Sequence, residues 1–186
     1  MDCLFTDGIA KGCRNNSGGL KRALIQNKSE ITSFTPAIGG VTDEGAITAV
    51  VMESGAQFFE FIPNKMSSNW VENIQSNVQN GTIGYEQVLN LIFSKNEAAK
   101  RNQIKLLGQA ETVVIVEDYN GKYFVLGEEN GVELTGGNSG SGTALTDLNG
   151  WNVTLGGMEH YPAREIFVED KATTDALIAA LLVAAA

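Results

Sequence analysis

Apolar and polar residues alternate with a period of two through much of the chain, and that period belongs to strands, not helices. The longest such stretch is NWVENIQSNVQNGTIGYEQVLNLIF over 69–93, with Asn80-Gly81 near its centre. Asn-Gly is a strong hairpin signal, because a two-residue type I′ loop needs positive φ at both central residues. With Asn80 and Gly81 as the loop, Gln79 lies opposite Thr82, Asn77 opposite Gly84, Gln75 opposite Glu86 and Asn73 opposite Val88. These positions share one face. The other face pairs Val78 with Ile83, Ser76 with Tyr85, Ile74 with Gln87, Glu72 with Leu89 and Trp70 with Leu91. One face is nearly all amides and small polar groups, and the other is largely apolar. Each arm runs about ten residues, where an ordinary strand has about 5–6.

Shorter runs rich in β-branched and aromatic residues predict strands at 31–35, 46–52 and 57–62. A short strand at 21–25 lies in an otherwise extended arm. Pro36 and Pro63 fall at strand ends, where a missing N–H does least harm. After the hairpin, Ser94 and Glu97 have the spacing of a capping box, and Phe93 and Ala98 that of a hydrophobic staple. Gly108 stands where a C′ glycine ends a helix, so a helix is predicted over 95–107. Strand signals return at 112–117 and 122–127 around Asn120-Gly121. They continue at 132–135 after Asn130-Gly131, at 143–148 and 151–155 around Asn149-Gly150, and at 164–169. The segment GGNSGSG at 136–142 reads as a flexible loop. Residues 173–186 favour an alanine-rich helix with Asp175 in its first turn. The predicted fold is mainly β with some α: an antiparallel β-sandwich or barrel with one flanking helix and a long β-hairpin. It divides into an N-terminal arm at 1–29, a body at 30–168 and a C-terminal helix or tail at 169–186.

Composition keeps this picture globular. The 186 residues are 43% hydrophobic and 19% charged, enough for one domain with a core. There are 21 glycines against three prolines, which fits tight turns better than a polyproline linker. The net charge of -9 and pI near 4.6, with no basic run, argue against a protein that grips phosphate backbones. Cys3 and Cys13 match no zinc spacing and are expected to be free thiols. The opening MDCLFTDG lacks the features of a signal peptide. The apolar run at 176–186 is too short to span a bilayer. The expectation is a soluble protein made in the cytosol, with no membrane partner.

Candidate chemistry is sparse. His160 is the one histidine and sits in a turn before a strand, which suits a surface or interface role. The glycine run at 136–142 is not followed by Lys-Ser or Lys-Thr, and a strand follows it where a phosphate loop needs a helix N-terminus. Glu117-Asp118 and Glu128-Glu129 flank Asn-Gly turns, where carboxylates are ordinarily solvated. Adjacent strand residues point to opposite faces, so neither pair converges on a metal. Phe58, Phe59, Phe61, Trp70, Tyr85 and Phe93 fall in strands without interleaved basic residues, as core side chains do. No catalytic residue, metal or cofactor is expected, and the protein is not expected to be an enzyme.

Three segments carry a resemblance: QSNVQNGTIGYEQ at 75–87, KNEAAKRNQIKLLGQ at 95–109 and NGWNVTLGGMEHYPAREI at 149–166. With the order of strands, long hairpin, helix and further hairpins, the region 30–168 resembles the tail tube family of tailed bacteriophages. It is similar in particular to short structural proteins of phages infecting Bacteroidota. The resemblance implies a virion protein of the tail, assembled in the host cytoplasm. Six copies would close into a ring and rings would stack into a tube, next to other tail or neck proteins, with viral DNA passing through unbound. In that family the long hairpin contributes to an inner β-barrel. The residues carried onto the lumen are Asn73, Gln75, Asn77, Gln79, Thr82, Gly84 and Glu86. A head-to-tail connector or tail terminator of the same fold is the first alternative. A carbohydrate-binding β-sandwich using Trp70 and Trp151 is the second.

Overall fold

The computed structural model describes residues 8–36 and 45–182. Among them, eleven strands and two α-helices follow in chain order. The strands before the first helix are β1 (Leu20–Asn27), β2 (Ile31–Thr35), β3 (Ala49–Met52), β4 (Phe59–Phe61), β5 (Asn69–Asn77) and β6 (Thr82–Ser94). Then come α1 (Ala98–Leu107), β7 (Thr112–Asp118), β8 (Tyr123–Leu126), β9 (Glu133–Gly140), β10 (Gly150–Glu159), β11 (Glu165–Ile166) and α2 (Lys171–Leu181). No described helix is long and apolar enough to cross a membrane.

The strands form a five-stranded sheet ordered β11-β8-β7-β1-β4, a four-stranded sheet ordered β5-β6-β10-β9, and the small pair β2-β3. Every ladder in these sheets is antiparallel. The run TVVIVE in β7 is buried from end to end, because its sheet is covered on both faces. Val114 and Val116 join Ala23, Ile25, Leu89, Leu91, Val153 and Leu155 in the core between the two large sheets. Val113 and Ile115 point the other way, into a second core with Leu24, Phe34, Ile47, Phe58 and Ile178. The α2 helix and the β2-β3 pair supply that second cover.

The division drawn from sequence shifts at both ends. β1 is an interior strand between β7 and β4, so the body begins at Leu20 and residue 29 is not a boundary. α2 sinks Thr174 and Ile178 into the structure, so it belongs to the domain; its predicted end at 183–186 lies outside the described residues. Asp170 caps α2 by accepting from the Thr173 N–H at 2.8 Å, and the helix begins at Lys171, two residues earlier than predicted.

Four local expectations are corrected. The capping box at Ser94 does not form. Ser94 closes β6 opposite Gly150, and α1 starts after Glu97 with no side-chain cap. Gly108 ends α1 in right-handed geometry at φ -71°, not in the left-handed geometry of a C′ glycine. Residues 136–140 are not a loop but the second half of β9, held by β10. Residues 143–148 are not a strand: Asp147 accepts the N–H groups of Thr143 and Ala144, each at 2.8 Å, and folds the segment into a turn.

Candidate assembly surface

Strand alternation in β5 and β6 places Trp70, Leu89 and Leu91 toward the core and the amide positions away from it. The observed register sets Asn77 opposite Thr82, Gln75 opposite Gly84, Asn73 opposite Glu86 and Val71 opposite Val88. This is two residues from the predicted pairing. The loop has four residues, 78–81, and only Gly81 takes positive φ, at 64°. The cause is local: the Asn77 carbonyl oxygen Oδ1 accepts the Asn80 N–H at 3.1 Å, an Asx capture that competes with a two-residue loop. A slip of two keeps every side chain on its face. Asn73, Gln75, Asn77, Thr82, Gly84 and Glu86 therefore still share one face, while Gln79 lies in the loop.

That face continues over the whole four-stranded sheet. Asn69, Asn90, Thr154 and Gly136 form one row across it, and Ile92, Asn152 and Asn138 another. Val71, Val88 and Gly156 form a third, and Asn73, Glu86 and Met158 a fourth. Thr154 donates to Asn90 Oδ1 at 2.9 Å, while Gln75 and Asn73 donate to Glu86 at 3.1 and 3.4 Å. No described helix or sheet packs on this side. None of the residues in β5, β6, β9 and β10 is Lys or Arg. The contribution of Asn138 was missed in sequence because the glycine run of β9 hid a strand, and Asn152 and Thr154 fell in a predicted strand whose neighbours were not legible. The alternation in WNVTLGGME was the one available signal.

The sheet has two open edges, β5 and β9. They are nine and eight residues long and contain no Pro or Lys. Beyond the end of β10 at Glu159, which pairs with Tyr85, the β5–β6 hairpin runs on unaccompanied. Its apolar side is bare there: Ile74 is 66%, Val78 91% and Ile83 55% exposed.

The other Asn-Gly sites differ in use. Asn120 and Gly121 form the β7–β8 turn, with Gly121 at φ 76° and the Asp118 carboxylate accepting from Asn120 and Lys122. Asn130 and Gly131 lie in a bend that carries the chain from one large sheet to the other, so β8 and β9 do not pair. Glu159 is buried and accepts the N–H groups of Glu129 and Asn130 at 3.1 and 2.9 Å. Burial raises the Glu159 pKa, and those two donors oppose the shift. Asn149 and Gly150 are not a turn: Gly150 begins β10 and is buried. A Cβ there would fall 2.0 Å from the Phe93 carbonyl oxygen.

The titratable clusters among the described residues lie elsewhere. Glu117, expected in solvent, is buried beneath Lys21 and Arg22, with Lys21 at 2.6 Å. Arg22 also reaches Glu60 at 2.7 Å. Glu128 is likewise enclosed, in a close pair with Arg164. His160 is exposed, with Nδ1 3.0 Å from Glu129. Among the described residues no group of three or more His, Cys, Asp or Glu could hold a metal ion. Trp70 stacks against Phe124 at 5.3 Å and Trp151 lies under Arg101 at 5.4 Å; both are half-buried and neither offers a bare ring to a sugar. Cys13 is an exposed free thiol, and Cys3 lies outside the described residues. Compared with known proteins, the chain matches no family model, no curated protein and no solved structure.

Proposed function

We propose that this chain is a structural subunit of a tailed bacteriophage virion, a tail tube protein whose copies join through the four-stranded sheet. The observation that carries the reading is a sheet with two open edges that hold no Lys or Pro and a face without a single cation. Natural proteins blunt such edges with Lys, Pro or a covering element, because free N–H and C=O groups recruit other chains. Here neither edge carries Lys or Pro, although β9 is kinked by a bulge at Thr135, and joining β5 of one copy to β9 of the next satisfies both. The four strands alternate in direction, so each junction in a closed ring is again antiparallel. Closure removes every edge.

Six copies, the number the resemblance implies, bring more strands than the roughly 16–18 that already leave an aqueous channel in membrane barrels. The amide and hydroxyl rows then line the lumen and stay hydrated. Without Lys or Arg they release no counterions from passing DNA, and Glu86 repels phosphate, so the duplex slides without being held. The protein acts in the virion tail after assembly in the host cytoplasm, with copies of itself and other tail or neck proteins as partners. It performs no catalytic step and needs no cofactor.

Negative-stain electron microscopy of the purified chain tests this. Hollow rings or tubes are expected. A monomer at every concentration reached overturns the reading, and single rings that never elongate assign the chain to a connector or terminator position.

A further inference from the structure

Asn-Gly occurs four times, at 80–81, 120–121, 130–131 and 149–150. The pair has a chemistry of its own, because a glycine nitrogen is unhindered and can attack Cγ of the asparagine before it. The attack needs an asparagine side chain free to swing over that nitrogen, an N–H not committed to an acceptor, and room for the backbone to turn. The dipeptide is the same at all four sites, so the fold decides among them.

Three sites are held. Asn120 accepts the Ser17 N–H through Oδ1 and donates Nδ2 to the Ser17 carbonyl and the Asp118 carboxylate, each at 2.8 Å. The Gly121 N–H donates to the Asp118 carbonyl at 3.1 Å. Asn130 donates Nδ2 to the Met158 carbonyl at 2.9 Å, and the Gly131 N–H donates to the Gly127 carbonyl at 3.2 Å. Gly150 is buried between β6 and β9, and the Asn149 carbonyl accepts the Lys95 N–H at 2.7 Å. These glycines are also crowded: a Cβ would lie 2.7 Å from Lys171 at Gly121, 2.7 Å from Glu111 at Gly131 and 2.0 Å from Phe93 at Gly150. Asn80-Gly81 has none of these restraints. Both residues are exposed, and a Cβ at Gly81 would meet nothing within 4 Å. Asn80 is anchored through its backbone N–H to Asn77. Among the described residues, neither its side-chain amide nor the Gly81 N–H is hydrogen-bonded.

We infer that the β5–β6 loop is a self-modification site, at which Asn80 deamidates through the Gly81 nitrogen in preference to the other three asparagines. The Gly81 nitrogen forms a bond to Asn80 Cγ, the Cγ–Nδ2 bond breaks, and Nδ2 leaves as ammonia with the proton from Gly81. Water then opens the cyclic imide at either carbonyl and leaves an aspartyl or an isoaspartyl linkage. Both products place a carboxylate at the hairpin tip where a neutral amide stood. The isoaspartyl form also lengthens the main chain by one carbon inside the loop closed by Asn77 and Thr82. This chemistry needs only the folded chain and water, whatever the chain assembles into.

The test incubates the full-length chain in mildly alkaline buffer, folded and in urea, and reads each site by tandem mass spectrometry of its peptides. In the folded chain Asn80 is expected to convert roughly tenfold faster than any of the other three, because those must first break the hydrogen bonds that hold them. In urea the four rates should converge. An isoaspartyl methyltransferase should label the aged, folded chain at position 80, and an aged chain without that label overturns the cyclic route. Conversion of Asn120, Asn130 or Asn149 as fast as Asn80 in the folded chain overturns the preference. An Asn80 that leads by the same factor in urea also overturns it, because the flanking sequence and not the fold would then set the order.

Discussion

Gln75 reaches across the β5–β6 ladder and donates its side-chain amide to the Glu86 carboxylate at 3.1 Å. Asn73 approaches the same oxygen at 3.4 Å. The acid at the centre of the uncovered hairpin face is thus held by neutral amides, and none of the described ion pairs involves it. That arrangement preserves a negative, weakly interacting surface.

Lysines on this face should change that property and little else. The combined Gln75→Lys, Asn77→Lys and Asn152→Lys variant is expected to assemble normally, since all three side chains point away from the core. Its tubes should retain duplex DNA at low salt and release it as salt rises, with a slope of about 0.9 in log–log form for each phosphate neutralised. Particles carrying it should eject DNA more slowly. Equal DNA retention by wild-type and variant tubes across salt concentrations would place this face outside the lumen.

Edge pairing is testable with proline on β9. Successive strand residues direct their N–H groups to opposite sides, one toward β10 and the next toward the open edge. Asn138→Pro and Ser139→Pro therefore differ in outcome. The variant that removes an inward N–H should lose stability as well as assembly. The variant that removes the outward N–H should unfold in urea close to the wild-type midpoint yet fail to form rings. Normal rings from both variants would show that β9 is not a junction.

The second core gives a pH prediction. Tyr123 donates its hydroxyl to Asp175 on α2 at 2.9 Å. Burial, then the contact with Asp175, pushes the Tyr123 pKa up to about 12 from its ordinary 10.0. The folded state favours the neutral phenol, so this contribution is fully present below pH 10 and is lost as pH rises toward 12. Asp175 is partly exposed, so Tyr123→Phe should cost only about 1 kcal/mol at pH 7. Urea denaturation followed across pH should show the gap between wild type and variant narrowing above pH 10. A constant gap would remove the hydroxyl–carboxylate contact as its cause.

Much of this molecule is written in its period of two. Alternation alone put Asn73, Gln75, Asn77, Thr82, Gly84 and Glu86 on one face, and the apolar runs around β1, β7 and β10 announced strands. A face assignment needs only the parity of a position, which survives a slip of two residues. Exact partners need more: the Asn77–Asn80 hydrogen bond, 3.1 Å long, moved the register.

What lay beyond the sequence depended on distant neighbours. The glycines of β9 have no strand preference of their own and become a strand because β10 supplies the ladder. Glu117 looked like a turn carboxylate, and only the arrival of Lys21 and Arg22 from β1 makes its burial tolerable. The hairpin, the amide face and the acidic balance follow from local order along the chain. The open edges and the bare tip follow from which strands became neighbours, because an edge is defined only by the strand that is not beside it.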